Sequence, residues 1–374
     1  MPFLPRCLLL VVLCVLAIPF APGVRAGLAR DVFVSPLGSG DLSGNSARDS
    51  LPAVKVNTAI RKAGGPITVI YNAGSYRMRE SIKILGDGEV NNAPVSVRAS
   101  DGAQFRGASF PMFVLRRGGV TISGFKATGF KTFLDIADGY AVGDVRLSRL
   151  DLSDMDVGIG VVNKGGASRN WVIDNVRITK FRSSGIRVSG PGVSGITISN
   201  ATIDGAGVSA ANADCYRGGI QIYNRANNIT ISGSRISNTV SYCGKYHQGD
   251  GIEADDSDGA PYDIRLSNLV LSNNRDGNLD LKARNVTMAN IRSQKGAETR
   301  FAFRLWHFPY RCNGCTTDGG AVADLFIQEA SVSFTGSSFA GRDPTVHCGE
   351  EETKPLRPLI KRDGNGVSAT CVKK

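Results

Sequence analysis

The sequence predicts an all-β parallel β-helix. Three observations predict it: a repeat of about 25 residues, apolar pairs of period two inside each copy, and turn-tolerant residues at fixed positions between the pairs. Copies begin at Val120, Val145, Trp171, Ile196, Ile229, Ile264 and Val286, at intervals of 25, 26, 25, 33, 35 and 22 residues. "VTISGFKA", "WVIDNVRI" and "ITISNATI" show the form, with apolar residues at the first and third positions and usually at the sixth and eighth. A further pair follows about 14 residues after the start in the short copies: Leu134 and Ile136, Ile159 and Val161, Ile186 and Val188. The series continues through Ile220 and Ile222, Ile252 and Ala254, Leu279 and Leu281, and Phe303 and Leu305. Strands this short bury no face alone, so three per copy gain a core only by stacking on the next copy.

The turn positions carry the same register. Gly119, Asp144, Asn170, Gly195, Asn228, Asp263 and Asn285 precede the starts, and Asn175, Asn200, Asn268 and Asn290 fall four residues after them. All are types that accept tight turns. A β-sandwich of irregular hairpins is the competing fold, and it gives no reason for so many registers to persist together.

Residues 1–26 read as a secretory signal, with Arg6, the apolar run "LLLVVLCVLAI" and the small-residue exit "GVRAG". The run is too short to span a bilayer. Removing Arg6 and Arg25 takes the net charge from +11 to about +9, and the mature chain is expected to be secreted or periplasmic with no membrane attachment. Residues 27–311 are expected to form the N-terminal cap and coils, and 312–374 irregular final coils and a pinned tail. Six cysteines remain after the signal, and six allow 15 pairings. Neighbourhood favours Cys215 with Cys243 and Cys348 with Cys371. "CNGC", with Cys312 and Cys315, reads as a small structural bridge, because a redox site lacks its following helix and a zinc site its second pair.

"DVFVSPLGSG", "NTAIRKAGG" and "ITVIYNAGSYRMRE" together resemble the N-terminal cap and first coil of secreted proteins of the pectate-lyase-like superfamily. The resemblance implies a right-handed, single-stranded parallel β-helix closed by an N-terminal capping helix at about residues 52–63. Such proteins include polysaccharide lyases, glycoside hydrolases, epimerases, phage tail proteins and adhesins, so a reaction must be argued from a site.

In the third strand of each copy the apolar pair points inward and the residue between its members outward. That column reads Asp135, Gly160, Arg187, Gln221, Glu253, Asp280 and Arg304, and two residues on, Ala137, Val162, Ser189, Tyr223, Asp255, Lys282 and Trp306. Neighbouring coils stand about 4.8 Å apart, which gathers Glu253, Asp255, Asp280 and Lys282 into one patch. The two long intervals insert "DGAGVSAANADCYRGG" and "NTVSYCGKYHQGDG" beside it. Arg187, Tyr216, Arg217, Tyr223, Tyr246, Arg304, Trp306 and His307 are the candidate substrate contacts. Asp256 and Asp258 read as solvated bystanders.

Crowded carboxylates need a positive neighbour, and calcium suits an exported chain. Its candidate ligands are Asp250, Glu253, Asp255 and Asp280. Lys282 is the candidate base, with Glu253, Asp280 and Arg275 in the catalytic patch and His247 as the alternative base. "NNRDGNLDLKA" resembles an "NSDDGWDL" type of calcium segment, except that Arg275 stands where its first Asp would be and one extra residue separates Asp276 from Asp280. The resemblance implies a calcium-assisted lyase that cleaves an anionic, uronate-containing polysaccharide by β-elimination. A glycoside hydrolase using Glu253 and Asp280, a uronate epimerase and a non-catalytic polysaccharide-binding protein are the alternatives. The positive net charge favours an anionic partner, and no nucleic-acid module is recognisable. A monomer is expected; a trimer is compatible with the fold.

Overall fold

The computed structural model describes residues 29–85, 93–209, 212–243, 246–349 and 356–373; the expected signal segment lies outside them. Among the described residues there are two long ladders, one of twenty-one strands and one of eleven, with a separate two-stranded hairpin. The coil-to-coil pairing is parallel in both ladders up to the C-terminal hairpin: Val145 pairs with Trp171, and Trp171 with Ile196. This is a parallel β-solenoid, as the repeat predicts.

The first two strands of a copy are continuous in several coils. Val142–Ser153, Ser168–Thr179, Tyr262–Ser272 and Arg284–Gln294 each run through the bend as one strand. Arg149, Asn175, Asn268 and Asn290 turn the chain there, with φ between 52° and 53°. Every turn residue before a copy is also left-handed, from Asn285 at φ 49° to Gly119 at φ 70°. Asparagine and aspartate tolerate that region and bond to their neighbours. Asn290 donates to Asn268 Oδ1 at 3.0 Å and Asn170 to Asp144 Oδ1 at 3.2 Å, while Asn200 reaches Asp174 at 2.8 Å rather than Asn175.

Inside, equivalent aliphatic side chains stack coil upon coil. Ile186, Ile220, Ile252 and Leu279 follow one another in register, each fully buried. The N-terminal end is covered by a helix shorter than expected: a 3-10 turn at Ala53–Lys55 and a helix at Val56–Arg61, which turns Val56 and Ile60 inward. Pro52 and the pair Gly64–Gly65 bound it, since proline suits a helix start and glycine its end. At the other end Ser331–Thr335 pairs antiparallel with Gly366–Lys373, which pairs antiparallel with Leu356–Asp363. An added hairpin is one way to protect an open sheet edge. Cys312–Cys315 and Cys348–Cys371 are disulfide-bonded. Cys215 is also disulfide-bonded, and the side chain of Cys243 lies outside the described residues.

The eleven-stranded ladder contains Gly218–Tyr223, Asp250–Ala254, Gly277–Leu281 and Phe301–Trp306 in succession. Its second position is pinched. A Cβ on Gly219 would stand 2.3 Å from Ile236 Cγ2 and 2.5 Å from the Gly251 carbonyl oxygen. Gly219→Ala should therefore force the ladder apart and destabilise the protein by about 1–3 kcal/mol, the usual range for overpacking. A urea denaturation midpoint equal to that of the parent would count against this close approach.

Candidate active site

With Ile220, Ile252, Leu279 and Phe303 inward, the alternation of the strand turns the intervening residues out. Register then fixes the order: Arg187 beside Gln221, Gln221 beside Glu253, Glu253 beside Asp280, and Asp280 beside Arg304. The column divides into two connected clusters.

The first lines a cavity of about 540 Å³ that includes Arg187, Tyr216, Gln221, Tyr223, Glu253 and Asp255. Arg187 donates to Gln221 Oε1 through Nη2 at 2.9 Å and Nε at 3.2 Å, and Ser184 Oγ donates to the same oxygen. That fixes the amide, so Gln221 Nε2 faces Glu253 Oε2 at 2.9 Å. Tyr223 OH donates to the same carboxylate oxygen at 2.7 Å. Burial pushes the Glu253 carboxyl up to about 7, with Asp280 and Asp255 adding to the rise and the bonds from Tyr223 and Gln221 opposing it. The Tyr223 phenol is pushed far above its ordinary range by burial and by Glu253, and stays protonated.

The second cluster is buried. Carboxylate oxygens of Asp250, Asp276 and Asp280 lie within 4.8 Å of one another. Arg304 Nη1 bridges Asp276 and Asp280 at 2.5 Å each, Arg300 reaches Asp276 at 2.8 Å, and Trp306 Nε1 donates to Asp280 at 2.7 Å. Asp250 Oδ1 is buried with no hydrogen-bond partner. Burial, then the charges of Asp280 and Asp276, raise the Asp250 carboxyl well above its ordinary range. Three carboxylates in this arrangement could coordinate a divalent cation, and the orphaned Asp250 oxygen is the atom that fits one.

Several expected residues stand elsewhere than the sequence implies. Lys282 Nζ is bonded to Asp255 Oδ2 at 2.6 Å. Burial favours the neutral amine, but Asp255, Asp280 and Glu253 outweigh it and raise the Lys282 pKa, so it lacks the free lone pair a base needs. Desolvation likewise acts to raise Asp255, and the bonds from Lys282 and Ser257 overcome it and hold Asp255 below its usual range. Glu253 and Asp255 are thus engaged away from the three-carboxylate group, and Asp276, absent from the expected ligand set, takes part instead.

Arg217, expected to face substrate, is 1 % exposed. Its guanidinium donates to the carbonyls of Val240, Phe181 and Gly205 and ties both long loops to the coil, and burial pushes it down to about 10. Arg275 pairs with Glu298 at 2.7 Å beneath the Tyr242 ring, outside the cavity lining. Arg304 is committed to the buried carboxylates. Trp306 packs on Phe326, with ring centroids 4.6 Å apart, and His307 sits between Glu329 and Asp256. Asp258, read as a bystander, lines the cavity with Asp214. The side chains of Tyr246 and His247 lie outside the described residues; their backbone forms a hairpin strand paired with Ser241–Cys243.

No family model and no curated protein matches the sequence. Among solved structures, the chain is similar to an alginate lyase from Paenibacillus sp. str. FPU-7. The identity is 15 %, over 79 % of this chain and 96 % of that one, with a TM-score of 0.50. A rhamnogalacturonan lyase matches at 12 % identity over 87 % and 86 % (TM-score 0.47), and the pectate lyase Pel9A at 11 % over 86 % and 78 % (TM-score 0.43). The chain shares its fold, a parallel β-solenoid, with that alginate lyase. A shared fold carries no reaction, which must come from the residues above.

The electrostatics of Glu253 give a pH signature. Its folded-state value of about 7 exceeds the ordinary 4.5, so the folded protein holds this proton more tightly than the unfolded chain. The sign follows: the stabilisation is present below about 4.5 and is lost as pH rises through about 7. Denaturation midpoints should fall across that window, and Glu253→Gln should flatten the fall. An identical slope in the variant would show that Glu253 carries no such proton.

Proposed function

We propose that this protein is an exported carbohydrate-active enzyme that cleaves a uronate-containing polysaccharide by β-elimination, with Glu253 as the base. The supporting observation is the Glu253 carboxyl, held by Gln221 and Tyr223 in a cavity that Arg187 also lines, where burial pushes it up to about 7. A base poised near the working pH is the most effective. Glu253 takes the proton α to the uronate carboxyl. The bond to the glycosidic oxygen at the β carbon breaks and a carbon–carbon double bond forms. Tyr223, hydrogen-bonded to Glu253 at 2.7 Å, supplies the proton to the departing oxygen and recovers one from Glu253. Arg187 faces the uronate carboxylate and favours its enediolate-like form.

Among the described residues the cavity also holds Asp214, Glu253, Asp255 and Asp258 against one arginine, Arg187. An anionic sugar in such a lining needs further positive charge. Calcium held by Asp250, Asp276 and Asp280 would supply charge neutralisation next to the base. Lys282 adds an ammonium on the same wall and keeps Asp255 ionised.

One observation favours a second reading. Glu253 is pushed up while Asp255, two residues away on the same face, is held down, and such a divergent pair suits the acid and base of a glycoside hydrolase. Asp280 is locked by Arg304 and Trp306 and does not fill that role. The pH profile separates the two. As a base, Glu253 makes kcat/KM rise with pH through about 7; as an acid, it makes kcat/KM fall there.

Polygalacturonate and alginate should yield unsaturated ends, read by ultraviolet absorbance, and Glu253→Gln should lose about a hundredfold or more in kcat. Reducing ends without unsaturation would overturn the lyase reading. Added calcium should raise the melting temperature of the parent and leave Asp250→Asn unmoved; an equal shift in both would place the ion elsewhere.

A further inference from the structure

The twenty-one-stranded ladder carries a second feature, separate from the cavity. One outward line runs Lys126, Asp151, Arg177, Thr202, Arg235, Val270 and Arg292, each residue in register with the next. Lys126, Arg177, Arg235 and Arg292 are exposed and occupy alternate coils. With strands about 4.8 Å apart, their charges repeat roughly every 10 Å along the axis. At its start the line forms one wall of a groove of about 400 Å³, where Arg149 at the bend adds a further cation and Asp151 is the lone acid. Asp151 meets Arg177 at 3.4 Å, with both side chains more than 40 % exposed, so the pair is weak and easily exchanged. Among the described residues, Lys126, Arg235 and Arg292 have no ion-pair partner.

We propose that this groove and the line beyond it form a second, non-catalytic site that holds a linear anionic polysaccharide along the coil axis. The site shares the polymer class of the proposed function and none of its chemistry. A straight line of single cations at a constant step matches a chain of regularly spaced carboxylates whose rings alternate sides, every second one facing the protein. Single-stranded nucleic acid would use aromatic platforms for its bases, and the residues between the cations are Asp151, Thr202 and Val270. A membrane surface would need apolar anchors, and the line has no exposed large hydrophobic residue. The consequence is local concentration. The cavity lining is rich in carboxylates and repels a free polyanion, whereas the opposite ladder retains one and keeps its segments near the cavity.

The test compares the mature protein with Arg177→Glu/Arg235→Glu/Arg292→Glu by affinity electrophoresis through polygalacturonate and alginate at low salt. Turnover of a short uronate tetrasaccharide and the melting temperature are followed in parallel. Retention of the parent should weaken about tenfold in the variant and vanish for both at high salt, as expected for exposed charges. Tetrasaccharide turnover and melting should not change. Equal retention of parent and variant would overturn the inference. So would oligothymidylate or anionic vesicles held as strongly through the same three arginines. If the triple glutamate variant does not fold, Arg177→Gln/Arg235→Gln/Arg292→Gln gives the same reading without charge reversal. Ladder-dependent retention in a protein that leaves the tetrasaccharide intact would sink the proposed reaction and leave this site standing.

Discussion

Parallel stacking in register is the constraint on which everything else depends. Ile186, Ile220, Ile252 and Leu279 form an unbroken interior file, and each has no solvent exposure. Burying a side chain of this size contributes roughly 1.5–3 kcal/mol. A slip of one residue would turn the whole file outward, so register is strongly held. The same constraint forces the outward residues into files of their own, whatever their charge.

That is why the electrostatics are so compressed. Glu253 and Asp280 cannot move apart, because their strands are hydrogen-bonded neighbours. The protein compensates by weaving in cations from adjacent coils: Arg304 between Asp276 and Asp280, and Lys282 against Asp255. Two carboxyls remain without full compensation. Asp250 keeps a bare buried oxygen, and Glu253 receives only neutral donors from Gln221 and Tyr223. Both carboxyls hold their proton more tightly than an ordinary acid, Asp250 and Glu253 alike being raised chiefly by burial.

The long loops add a different kind of support. Among the described residues Arg217 is buried without an ion-pair partner; its Nη1 and Nη2 donate to three carbonyls, its Nε has no hydrogen-bond partner, and its guanidinium lies 4.7 Å from the centre of the Phe181 ring. A buried cation held this way braces backbone, and it fixes the loop that carries Tyr216 over the cavity. The loop residues therefore divide by depth: Tyr216 faces the cavity, while Arg217, one residue on, forms its foundation.

Sequence alone determined the coil, because period-2 pairing and the left-handed turn positions are local properties that repeat. Asn175, Asn268 and Asn290 at the bends and Asp144, Asn170 and Asn285 at the turns all take the positive φ that their spacing implies. It also determined which residues share a file, since a fixed repeat length converts directly into a fixed register. Tertiary structure alone decided what the members of a file do to one another. Lys282 is held as an ammonium against burial by its neighbouring carboxylates, with Asp255 2.6 Å away. Asp276 joins the carboxylate cluster from the turn before its strand, where no alternation rule predicts direction, and Arg217 folds inward for the same reason. Alternation specifies side; the protonation, pairing and burial of a side chain depend on distances of a few ångströms between coils far apart in sequence.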